Sequence, residues 1–341
     1  MPRVAVLATG GTIASRAVGT GAVATDDASD IVRAVRHGGG IDVEARDVLR
    51  KNSFALTLAD LRALALAVRE TLDDPSIDGV VVTHGTDTLE ESAYLVDLGH
   101  DDPRPVVFTG AQRAADSDDP DGPGNIADAV AVAAAPSSRD RGVLVSFAGE
   151  IFAARGVRKQ HTVAPQPFGA PEIGKVGMVE GARVEFTASP QPRQLLALPD
   201  ERFDSVRVDV VSAYPGADAG LLRAAERSGA DGVLIIGTGA GNTTPAMIPA
   251  IRELVAGGRL VALGTRANAG PVVPLYGGGG GVDAVDAGAV PMGTIGVAQG
   301  RILCALLLSQ FPAADAGRRL AKFALDSVPP EHLITVKGTS L

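Results

Sequence analysis

The chain has 341 residues, 45% of them apolar and 21% charged, with a net charge of −9, no Trp and a single cysteine. This length predicts two domains with sizeable aliphatic cores, and an acidic balance without a local Lys/Arg cluster excludes nucleic acid as a partner. Cys304 has no partner for an internal disulfide, the apolar run at 302–308 is far below the roughly 18 residues that span a bilayer, and the opening apolar run breaks at glycines; a cytoplasmic protein without membrane association is expected.

Short β-branched runs alternate with helical patterns along the chain. Strand-like segments at 4–8, 79–83, 106–109 and 143–147 are interleaved with helical ones at 27–36, 58–72, 89–98 and 126–134. Apolar runs buried on both faces and separated by helices predict a parallel α/β sheet. Prolines and charges interrupt this rhythm between 188 and 205, which reads as a linker. Alternation resumes with 206–211, 221–227, 232–236, 247–255 and 260–263, followed by one helical region over 297–325. The prediction is an N-terminal catalytic domain at 1–187, a linker at 188–205, and a smaller flavodoxin-like α/β domain at 206–341.

Two Gly/Thr-rich segments follow strands, where open α/β sheets bind ligands. Thr9-Gly10-Gly11-Thr12-Ile13-Ala14-Ser15 alone reads as a tight connection, and its spacing fits neither dinucleotide nor P-loop fingerprints. Thr83-His84-Gly85-Thr86-Asp87-Thr88 opens the helix near Leu89 and carries more polar groups than capping requires. Backbone N–H groups at a helix start suit an oxyanion, and an adjacent carboxylate suits an ammonium, so the pair of loops suits an amino-acid amide. Cys304 reads as core, the remaining histidines lack metal-ligand spacing, and His84 reads as ordering the Thr86 loop. Neither a metal nor a cofactor is expected.

Ala8–Ala14 and Val82–Glu91 resemble the two signature segments of the bacterial-type L-asparaginases and glutaminase-asparaginases. The likeness continues through Thr109-Gly110-Ala111-Gln112-Arg113, Asp121-Gly122-Pro123-Gly124-Asn125, Arg155-Gly156-Val157-Arg158-Lys159 and Gly237-Thr238-Gly239-Ala240-Gly241-Asn242. It implies hydrolysis of L-asparagine, with glutaminase side activity, by double displacement through Thr12. It further implies a Thr86–Lys159–Asp87 proton-handling set and an oxyanion hole at the Ala111 and Thr86 N–H groups. Ser53 would bind the substrate α-carboxylate, Asp87 the α-ammonium, and Asn242 would reach the active site of a neighbouring subunit in a homotetramer built from intimate dimers. The loop after the first motif lacks the tyrosine usual in the family; Thr20, Thr25 or another subunit's Tyr276 are the candidate replacements, or activation relies on Lys159. Two further readings are a non-catalytic amino-acid sensor, motivated by that missing tyrosine, and the amidase subunit of a Glu-tRNA amidotransferase, disfavoured because no N-terminal module precedes the first strand.

Overall fold

A computed structural model describes residues 1–11, 15–18, 21–24, 40–189 and 192–328. The helical pattern at 27–36, together with Thr12, Thr20 and Thr25, lies outside the described residues. The chain divides into two compact units, Met1–Leu198 and Pro199–Leu341.

The first unit contains β1 (Arg3–Ala8), β2 (Ser15–Val18), β3 (Gly21–Ala24), β4 (Asp42–Asp47), α1 (Leu58–Leu72), β5 (Gly79–Thr83), α2 (Leu89–Gly99), β6 (Val106–Thr109), α3 (Gly122–Ala134), β7 (Val143–Phe147), β8 (Glu150–Ala153), β9 (Arg158–Lys159), β10 (Phe168–Gly169), β11 (Gly177–Glu180) and β12 (Arg183–Phe186). Eight strands form one sheet in the order β12-β11-β8-β7-β6-β5-β1-β4. The expected parallel sheet is its central part: β4, β1, β5, β6 and β7 are parallel, whereas β8, β11 and β12 extend it antiparallel, so the sheet is mixed. The β7–β8 hairpin turns on Ala148 (φ 47°) and Gly149 (φ 78°), the two successive positive-φ residues that a tight two-residue hairpin needs.

Among the parallel strands, β1 lies between β4 and β5, the 2-1-3-4-5 order of doubly wound proteins, with its switch point between β1 and β5. Alternation along the strands feeds two cores. Val80, Val82 and Phe108 pack with Leu64 and Val68 of α1 and Ala93 and Val96 of α2. Val81 and Val107 pack on the other face with Ile126, Ala129 and Val130 of α3. Since β5, β6 and β7 are adjacent, parallel and in sequence order, crossovers through α2 and α3 on opposite faces have opposite hand, and one departs from the right-handed rule.

The second unit contains β13 (Val208–Ser212), α4 (Gly220–Arg227), β14 (Gly232–Gly237), α5 (Ile248–Ala256), β15 (Leu260–Thr265), α6 (Gly281–Asp286), β16 (Val290–Pro291), α7 (Val297–Gln310) and α8 (Ala313–Ser327). Its four parallel strands run in plain sequence order, β13-β14-β15-β16. The α/β layering expected of a flavodoxin-like domain is present, but the order-reversing switch point lies in the N-terminal sheet instead. The single helical region expected over 297–325 is two helices, because Phe311-Pro312 ends one and starts the next: Pro312 has no N–H for a continuing helix.

Part of the segment read as linker packs on the first unit. Arg193 pairs with Asp97 at 2.9 Å, Arg155 donates to the Gln194 carbonyl at 2.6 Å, and the Leu196 N–H donates to the Leu98 carbonyl at 2.8 Å.

Candidate active site

The switch point brings three turns to one level. Ala8 is paired with Thr83 and Thr83 with Thr109, so β1, β5 and β6 end together. Thr9 locks the first pair by donating both its N–H (3.1 Å) and its hydroxyl (2.9 Å) to the Thr83 carbonyl. Beyond it, Gly11 has φ +83°, and a Cβ there would lie 2.5 Å from Cα of Gly85; a Cβ on Gly85 would lie 2.6 Å from Oγ of Ser53. The turn leading to Thr12 and the Thr83–Thr88 segment therefore meet backbone to backbone, and the Ser53 side chain lies directly against Gly85, where a side chain has no room. Ser53 begins a short 3-10 turn (Ser53–Ala55), is buried, and accepts at its carbonyl from the Thr88 hydroxyl at 2.9 Å.

Thr86 is 5% exposed and sits just ahead of α2. Lys159 in β9 sends Nζ to Thr86 Oγ1 and to Asp87 Oδ1, both at 2.8 Å. Lys159 is anchored at its other end as well, since its backbone N–H donates to Glu90 Oε2. Burial raises the Glu90 carboxyl to about 7, with the neighbouring Glu91 acting in the same direction. Asp87, by contrast, keeps 54% of its side chain exposed. His84 is wholly buried, donates Nδ1–H to the Gly85 carbonyl at 2.8 Å, and has its pKa pushed by burial down to about 4, so it is a neutral brace of the loop.

Ala111 lies in the turn after β6. A Cβ on the preceding Gly110 would lie 2.5 Å from the His84 carbonyl oxygen, which sets this turn against the Thr86 loop. Asp121 holds its far side, accepting the N–H groups of Gln112 and Arg113 at 3.0 Å each. The fold thus assembles Ser53, Thr86, Asp87, Ala111 and Lys159 in the first unit around the turn that leads to Thr12. Asn242 belongs to the second unit, where it exchanges two backbone hydrogen bonds of 2.8 Å with Thr238 and accepts the Gly281 N–H at Oδ1. Two features were not foreseen: the bond from Lys159 N–H to Glu90, and the bond from Thr86 to Gln112 at 3.0 Å. Gln112 stood inside a recognised motif, but only the folded loops reveal what its amide touches. Cys304 is buried core with its thiol pushed up to about 12.

The loops at the switch point set a threonine and an aspartate against a lysine of β9, and similarity to known asparaginases makes this α/β protein an amidohydrolase. The family follows from comparison. Residues 3–192 match the family model "Asparaginase, N-terminal" and residues 207–320 match "Glutaminase/Asparaginase C-terminal domain". A protein of Deinococcus radiodurans named "Probable L-asparaginase" is 38% identical over 327 residues, covering 94% of this chain and 97% of that one. Another, of Haemophilus influenzae, "Probable L-asparaginase periplasmic", is 32% identical over 320 residues, covering 91% and 89%. The crystal structure of a "Probable Cytoplasmic L-asparaginase" from Campylobacter jejuni superposes with a TM-score of 0.85 at 27% identity, covering 96% of this chain and all of that one. The chain belongs to the asparaginase family.

Proposed function

We propose that the protein is an L-asparaginase that hydrolyses L-asparagine to L-aspartate and ammonia through a Thr12 acyl-enzyme, with side activity on L-glutamine. The observation that carries this reading is Lys159 Nζ bridging Thr86 Oγ1 and Asp87 Oδ1 at 2.8 Å beside the Gly11–Gly85–Ser53 contact. In this scheme Thr12 attacks the amide carbon, ammonia leaves, and water cleaves the ester. The N–H groups of Thr86 and Ala111 receive the oxyanion, a contribution typically worth about 100- to 1,000-fold per donor. The exposed Asp87 carboxylate receives the α-ammonium and Ser53 the α-carboxylate, so charge at both ends of the substrate backbone fixes which carbonyl meets the nucleophile. Lys159 and Thr86 handle the protons of nucleophile and water.

The same proposal takes residues 1–187 and 206–341 as the two domains joined by 188–205. It takes the working molecule as a cytoplasmic homotetramer whose Asn242 serves a neighbouring subunit. Among the described residues no helix is long and apolar enough to cross a membrane. Ammonia release from purified protein supplied with L-asparagine, then L-glutamine, tests the activity. Measurable binding with ammonia released from neither amide replaces the proposal with an amino-acid sensor.

A further inference from the structure

Gln112 stands between Thr86 and the loop that follows Lys159, and each polar group of its side chain is engaged. Nε2 donates to the Thr162 carbonyl at 3.3 Å and to the Ala164 carbonyl at 3.1 Å. Carbonyl oxygens only accept, so these bonds decide which way round the amide sits, and Oε1 must face the Thr86 hydroxyl, which donates to it at 3.0 Å. The carbonyls that set this orientation are themselves held. His161 Nδ1 accepts the N–H groups of Val163 at 3.1 Å and Ala164 at 2.8 Å, and the N–H of Gln160 closes the loop onto the Pro167 carbonyl at 2.7 Å.

A threonine hydroxyl has one proton and two acceptor positions. In Thr86 the proton points to Gln112 and one acceptor position takes Lys159 Nζ, so what the oxygen presents to any further group is a lone pair. From this we infer that Gln112 is a positioning residue that holds Thr86 as a hydrogen-bond acceptor toward the reacting groups; the inference rests on the asparaginase reading above. Without Gln112 the hydroxyl is released to rotate, and its proton competes for the position that the proton of an attacking water or of the nucleophile must occupy. The effect belongs to turnover, because Gln112 has no place among the groups that hold the ends of the substrate.

The test is steady-state kinetics on the full-length protein with L-asparagine across a pH series, comparing wild type, Gln112→Met and Gln112→Glu, with melting temperatures taken in parallel. Gln112→Met should lower kcat roughly tenfold, the loss of about one hydrogen bond's orienting effect, with KM changed less than about threefold. Gln112→Glu keeps an acceptor for Thr86, but its carboxylate opposes the Thr162 and Ala164 carbonyls; once protonated its single O–H donates to one of them again. Its kcat should therefore recover toward wild type as pH falls through this new ionisation, a limb absent from the wild-type profile. A Gln112→Met enzyme with wild-type kcat, or a Gln112→Glu deficit that is constant with pH and follows melting temperature, overturns the inference and leaves the asparaginase reading intact. A wild-type protein that releases no ammonia overturns both.

Discussion

Replacing Gly11 by alanine tests whether the backbone contact between the first two loops is what builds the site. Two costs arise at this position. The φ of +83° lies in the left-handed region, where a Cβ costs roughly 1–2 kcal/mol. That Cβ would also lie 2.5 Å from Cα and N of Gly85, about 1 Å inside ordinary contact, so the Gly10-Gly11 backbone that leads to Thr12 must separate from the Thr83–Thr88 segment by a similar amount. Misplacement of about 1 Å in reacting groups costs on the order of 100-fold in rate, which is the expected fall in kcat/KM for ammonia release from Gly11→Ala. The matched control is Gly181→Ala, in the hairpin between β11 and β12: φ is +58°, but nothing lies within 4 Å of its Cβ position. That variant carries only the first cost, so it should lose less melting temperature and keep its activity. A Gly11→Ala enzyme with wild-type kcat/KM, or equal losses of activity in both variants, would refute the argument that this contact sets the catalytic geometry.

Other outcomes follow from buried carboxylates. Burial raises the folded-state pKa of Glu90 to about 7, above its ordinary value, so the native state holds a proton there that the unfolded chain releases near 4.5. Its stabilising contribution is present below about pH 4.5 and is lost as pH rises toward 7; Glu90→Gln should match wild type near pH 4 and exceed it by about 1–3 kcal/mol at pH 8, read from urea melts. If the difference between the two proteins is the same at both pH values, Glu90 is not the titrating group. Asp97 is 2% exposed between Arg155 at 2.6 Å and Arg193 at 2.9 Å; burial alone would raise its pKa, but the two guanidiniums hold it below the usual carboxylate range. Asp97→Asn should cost about 3 kcal/mol of unfolding free energy by leaving those cations uncompensated, and an unchanged urea midpoint would show that the pair contributes little.

The inner parallel strands β1, β5, β6 and β7, and β13, β14 and β15 of the second unit, were legible because runs such as Val80-Val81-Val82 are apolar on consecutive residues, the pattern of a strand covered on both faces, whereas the two-residue β16 is too short to leave a pattern. β4 was not legible, since Asp-Val-Glu-Ala-Arg-Asp is an edge strand whose polar side chains face solvent and which, among the described residues, pairs with β1 alone. The hairpin of β11 and β12 was hidden for a related reason: Gly-Met-Val-Glu and Arg-Val-Glu-Phe alternate over four residues each, too short for a periodic signal. Strand order was beyond reach as well, because nothing local to a strand records its neighbour. Within the site, Thr86 and Asp87 stood out by crowding at a helix start. Lys159 and Ser53 gained meaning only through resemblance, as each is 33 or more positions from Thr86 and Asp87 and only the folded chain brings them together. Gln112 depends on a contact with Thr86, 26 residues away, and on carbonyls 50 and 52 residues away.

The central claim is that Thr12 carries the acyl group. Rapid acid quenching of the enzyme during turnover of L-asparagine, followed by peptide mass analysis, tests it most directly. The account predicts an aspartyl ester on the peptide containing Thr12, absent from Thr12→Ala along with ammonia release. An adduct on Thr86, or undiminished turnover by Thr12→Ala, would contradict it.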